Sequence, residues 1–197
     1  MATSQPQDPR LRLEPPNTRA FWVLLVLVVV LPLALVLVLP QAGGDVAGTG
    51  DPLRARLFAA LGVGALLLAV FGVLGAMMRR HRLLHDAAGI ELGTSFYRRR
   101  LAWPELRLQD ARVLSLAERT EYRPMFKSNA LSLPGFRSGW FRSRQLDKQL
   151  VATVGGDRVL WLPTTQGYAL LLQPRNPPAA LEALRELAAM APAGRAR

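Results

Sequence analysis

The sequence predicts a two-helix transmembrane hairpin followed by a mainly-β domain that one C-terminal helix caps. Three observations carry this. No charged residue lies between Ala20 and Gly44, nor between Leu57 and Met78. After Met78 the apolar residues fall into short runs separated by turn residues, the pattern of strands. Near the C-terminus Leu181, Leu184 and Leu187 recur at helical spacing behind Asn176 and Pro177.

Residues 1–19 hold Pro6, Pro9, Pro15 and Pro16 among polar neighbours. They read as a disordered N-terminal tail. Residues 20–39 form transmembrane helix 1. At 1.5 Å per residue, about 20 residues span roughly 30 Å, the thickness of the hydrocarbon core. Pro32 lies within this run and implies a kink that membrane helices tolerate. Phe21 and Trp22 stand where interfacial aromatic anchors belong. The run exceeds a signal-peptide core, and no Ala-x-Ala site follows it. Residues 40–56, rich in Gly, Asp and Pro, form an extracytoplasmic loop.

Residues 57–78 form transmembrane helix 2. Gly62, Ala65, Ala69, Gly72 and Ala76 repeat at three- and four-residue spacing and mark a face for close helix packing, against the first helix or a second copy. Arg10, Arg12 and Arg19 precede the first run, and Arg79, Arg80 and Arg82 follow the second. The loop has only Arg54 and Arg56, so the positive-inside rule places both termini in the cytoplasm.

Residues 79–89 read as a juxtamembrane helix ending at Gly89. About seven strands follow within the domain 90–191. Ile90–Leu92 and Phe96–Trp103 flank a hairpin signal at Gly93–Ser95. Ala111–Ala117, Trp140–Ser143, Gln149–Val154, Arg158–Pro163 and Tyr168–Gln173 complete the set. Asn176 is the N-cap of the last helix and Pro177 its first residue. Residues 192–197 are a tail.

The segments GTSFYRRRLAWPELRLQDARVLSL, LPGFRSGWFR and DRVLWLPTTQGYALLLQP, together with the closing helix, resemble the bacterial pleckstrin-homology-like (PH-like) proteins in which two transmembrane helices precede a PH-like barrel. The resemblance spans roughly residues 90–187. It implies a barrel fold and a binding role at the bacterial cytoplasmic membrane, and it brings no catalytic residue with it. Eukaryotic phosphoinositide-binding members carry spaced basic residues at the first hairpin. Arg98, Arg99 and Arg100 lie loosely in that place without that spacing, so phosphoinositide binding does not transfer.

The chemistry-bearing residues point to binding rather than catalysis. The chain has no cysteine, which excludes disulfides, thiolate catalysis and Cys-based metal sites. The carboxylates are scattered, and no nucleophile elbow, Walker loop or dinucleotide fingerprint occurs. His81 and His85 share a helical spacing beside Asp86, but no third ligand is specified, so no metal is expected. The apolar runs carry no ionisable residue, which argues against transport. The net charge is +11. The segment 119–139 reads as a long loop mixing basic and aromatic residues, and long loops are often functional.

The candidate binding residues are Arg98, Arg100, Arg123, Lys127, Arg137, Trp140 and Arg142. The expected function is a membrane-anchored interaction module that scaffolds a protein partner, or a further copy of itself, at the cytoplasmic face. The alternative is a sensor of anionic lipid headgroups through a basic and aromatic surface. No cofactor, nucleic acid or small-molecule substrate is expected.

Overall fold

The computed structural model describes residues 7–38 and 52–191. Residues 7–17 and 78–191 form one compact unit, and Thr18–Met77 forms another.

In the second unit the first apolar run is helical as α1 (Thr18–Leu25), a π-helical segment Val26–Val30 and α2 (Leu31–Val38). The Leu31 N–H donates to the Val26 carbonyl, one residue wider than an α-turn. Pro32 explains this. It has no N–H to give, and its ring would press on the carbonyl four residues back, so the helix widens just before it. The second run forms α3 (Pro52–Met78), which starts five residues earlier than the sequence suggests, with a proline at its first position. Within α3, Ala60–Met78 is long and apolar enough to cross a membrane. The apolar helix Phe21–Leu35 is shorter than a span, so among the described residues one candidate span stands where the sequence predicts two. Most of the expected loop 40–56 and the tail 192–197 lie outside the described residues.

Among the described residues the other unit is mainly β, with nine strands in two sheets and one C-terminal helix. A three-stranded antiparallel sheet is made of β1 (Arg82–Asp86), β2 (Gly89–Gly93) and β3 (Arg98–Ala102). A six-stranded sheet runs β4 (Arg112–Ser115), β8 (Arg158–Pro163), β9 (Ala169–Leu172), β7 (Lys148–Thr153), β6 (Phe136–Ser143) and β5 (Pro124–Leu133), in that spatial order. All its pairs are antiparallel except β7 with β9. The end strands β4 and β5 do not pair with each other. The expected closed barrel is therefore an open, two-sheet arrangement.

Two elements depart from the sequence reading. Residues 79–89 do not form a helix, because Leu83 and His85 are buried while Arg82, Leu84 and Asp86 are exposed. That period of two belongs to a strand, and β1 pairs along its whole length with β2. Likewise, most of the expected loop 119–139 is a hairpin of β5 and β6 turning at Pro134–Gly135.

The core explains the apolar runs. One cluster joins Leu83, Ile90, Leu92 and Leu101 of the small sheet to Trp140, Leu150, Leu160, Leu162, Leu170 and Leu172 of the large one. The last helix, α4 (Pro177–Met190), adds Ala180, Leu181 and Leu184. The alternate residues Phe141, Val151, Val159 and Leu171 point to the other face, where Leu114, Leu116 and Tyr122 cover them. Strands buried on both faces read as continuous apolar runs, as β9 (ALLL) does.

The N-terminal residues 7–17 are part of this unit and not a free tail. Leu11 is buried in the main cluster. Leu13 bridges Pro174, and Gln7 exchanges hydrogen bonds with the His85 main chain. Arg10 reaches both Asp8 (2.9 Å) and Glu186 (2.6 Å) of α4. Its guanidinium holds both carboxyls below their usual range.

Candidate functional site

The seven basic and aromatic candidates do not form one surface. Arg98 and Arg100 alternate with Arg99 on β3 and point to the outer face of the small sheet. There Arg98 pairs with Glu91 (Nε to Oε1, 3.0 Å) and Arg100 pairs with Asp86. Arg98 thus has a carboxylate of the neighbouring β2 for company, and Arg100 one reached across β2 on β1, which lowers the pull of each on an outside anion.

Arg99 takes the other face. Its guanidinium carbon lies 5.7 Å from the Trp140 ring centroid, and Lys148 Nζ lies 4.5 Å from the same centroid. Tyr97 and Tyr168 meet the indole edge-on at 6.2 and 5.0 Å. Trp140 is buried in the core, so the contact candidate is a packing residue that two cations cover. Burial raises the Tyr168 phenol, against the pull of Arg99.

Arg123 and Arg137 line a cavity of about 670 Å³ beside Asp157, on the far face of the large sheet. Arg123 Nε donates to the Leu116 carbonyl at 2.7 Å and fastens the segment that crosses from β4 to β5. Arg142 is exposed and donates to the Leu146 carbonyl at 2.9 Å. Lys148 sits opposite it on β7 and Phe126 on β5.

Lys127 stands on β5, the outermost strand of the large sheet. This edge differs from its counterpart. β4 has four residues and packs against α4. β5 has ten, and Met125–Asn129 are all exposed. Met125 and Phe126 are 54% and 53% exposed, high for apolar side chains inside a sheet. An edge strand of this kind carries a row of main-chain donors and acceptors ready to pair with another chain. The register of β5 on β6 slips between Pro124 and Phe126 and between Lys127 and Asn129. Bulges and an edge lysine are devices that keep such an edge from pairing indiscriminately.

The small-residue stripe of α3 lies apart from its neighbours. Gly62, Ala65, Ala69, Gly72 and Ala76 are exposed, and a Cβ built on Gly62 or Gly72 would meet nothing within 4 Å. Gly75, outside the stripe, is the close contact. A Cβ there would lie 3.5 Å from the Phe21 ring.

The histidines separate as well. His81 stacks on Phe136 at 4.8 Å, and His85 Nε2 accepts the Asp8 N–H at 3.0 Å. Among the described residues no three His, Asp or Glu side chains gather to hold a metal.

Sequence reading missed the β5 edge because one strand among basic and aromatic residues carries little alternation. The signal was present in PMFKSNALSL, which is rich in apolar and small polar residues and has a single charge. Comparison with protein-family models, with curated proteins and with solved structures returns no match.

Proposed function

We propose that this chain is a membrane-anchored, PH-like interaction module that holds a protein partner at the cytoplasmic membrane face. The partner docks by adding an extended segment to the open edge of β5. The observation that carries the reading is that edge: ten residues long, paired on one side only, with Met125 and Phe126 exposed beside Lys127. Strand addition draws affinity from main-chain hydrogen bonds and specificity from alternate side chains. Lys127 on the edge and Arg142 on the strand beside it favour an acidic segment. The bulges and Lys127 disfavour a second copy, which would set lysine against lysine. Ala60–Met78 supplies the anchor, and the basic Arg79, Arg80 and Arg82 beyond it favour the cytoplasmic side.

The pairing of Arg98 with Glu91 and Arg100 with Asp86 weighs against the alternative of headgroup sensing through those two arginines. The test is a photoreactive residue at position 126 of the full chain, with position 112 on the β4 edge as control. A discrete adduct to a second protein is expected at 126, absent at 112 and lost with Met125→Asp. No adduct at 126, or adducts between copies alone, would overturn the proposal.

A further inference from the structure

The outer face of the small sheet is graded in charge. In register across its three strands, Arg82, Gly93 and Arg98 form one end row. Leu84, Glu91 and Arg100 form the middle row, and Asp86, Gly89 and Ala102 the other end. The row with two arginines is the one that chain connectivity ties to α3. Arg80 is two residues beyond Met78, the last residue of that helix.

At this end lies a cavity of about 440 Å³ whose wall includes Arg80, Arg82, Arg98, Glu91, Ser95 and Phe96. Gly93 creates the space between Arg82 and Arg98, since it has no side chain to fill it. A Cβ at Gly93 would also come within 3.3 Å of the Arg80 carbonyl, so the chain passes close by. Three arginines face one carboxylate. Arg98 uses Glu91, while Arg80 and Arg82 have no ion pair among the described residues. The Ser95 hydroxyl is buried without a hydrogen-bond partner. Phe96 and Leu84, on the same wall, are 47% and 38% exposed.

We infer that this cavity binds the phosphate-bearing headgroup of an anionic lipid in the leaflet from which α3 emerges. Arginine suits a phosphate because its planar fork donates in pairs. The exposed phenyl and isobutyl groups favour a lipid over a free anion, because a soluble phosphate gains nothing from them while the acyl–headgroup boundary does. Placement follows from the anchor. Residues two and four positions beyond a spanning helix stand in the interfacial layer, where the surface potential concentrates them on anionic headgroups. The inference rests on the proposed anchoring by α3, though not on strand addition at β5.

The test uses the full chain purified in mild detergent, with bound lipid counted by native mass spectrometry during titration with phosphatidylglycerol, phosphatidylcholine or inorganic phosphate. One phosphatidylglycerol is expected to bind in preference to phosphatidylcholine. Arg80→Gln with Arg82→Gln should weaken it by roughly thirtyfold. Arg107→Gln with Arg112→Gln removes the same charge elsewhere and should leave it unchanged. Both pairs are exposed, so the fold persists in each variant. Equal binding of the two lipids, equal loss in the two variants, or competition by inorganic phosphate as strong as by the lipid would each overturn the inference. Alkaline washing of membranes separates the two failures. A chain that stays in the membrane without lipid preference loses the cavity alone, while a chain that washes off loses the anchor and the cavity together.

Discussion

His81 shows what a single side chain can report. Its ring lies flat on Phe136, with Nε2 buried and without a partner. Burial pushes the imidazole down to about 4. An unfolded histidine titrates near 6.5, so below that pH the unfolded chain takes up a proton that the folded chain refuses. This group leaves stability unchanged above about 6.5. It removes stability as pH falls from there to about 4, by up to about 1.4 kcal/mol per pH unit. His81→Phe keeps a ring on Phe136 and removes the titration. The melting temperature of the variant is expected to fall less than that of the parent between pH 7 and pH 5, and equal falls would contradict the assignment.

Leu146 makes a second prediction at this scale. It holds φ at 68° in the turn between β6 and β7, the left-handed region that disfavours a Cβ, and its side chain is exposed. Leu146→Gly loses little packing and is expected to stabilise the β unit by up to about 1 kcal/mol in urea unfolding. The basic residue types were legible in the sequence, but their pairing was not. Arg98 and Arg100 meet their carboxylates across strands, through a register that no local pattern states.

The elements divide by how local their causes are. The last helix was plain in the sequence, since Asn176 accepts the Ala179 N–H at 3.3 Å and Leu181 and Leu184 bury on one stripe. The hairpin of β2 and β3 was equally plain from its Gly-Thr-Ser turn, and β6 through β9 fall within a few residues of the expected runs. β1 was misread because RRHRLLHD suits a helix that continues α3. Pairing with β2 and burial of Leu83 decide otherwise, a tertiary effect that overrides local preference. The N-terminal segment was misread for the same reason. Its prolines suggest a free tail, yet Leu11 fills a place in the core. Leu11→Ala is expected to destabilise the β unit by about 2–5 kcal/mol. Arg10→Ala removes ion pairs from a solvent-reached guanidinium and should cost much less than the loss of Leu11. Similar losses in the two variants would contradict docking by burial.

At the scale of the molecule the division into an apolar helical part and a basic β part follows from the distribution of charge, which the sequence displays openly. The arrangement of the sheets does not. The parallel pairing of β7 with β9 sets β9 between the sequence-consecutive β7 and β8, and β5 ends the sheet at an open edge. That edge, and the cavity at Arg80, Arg82 and Arg98, come from topology and were beyond what spacing alone discloses. Both functional proposals require the β unit to be held at a bilayer by Ala60–Met78. Alkaline extraction of membranes from cells that express the full chain tests this most directly. The chain is expected to remain in the pellet, whereas its release into the supernatant with peripheral proteins would contradict the membrane-anchored reading.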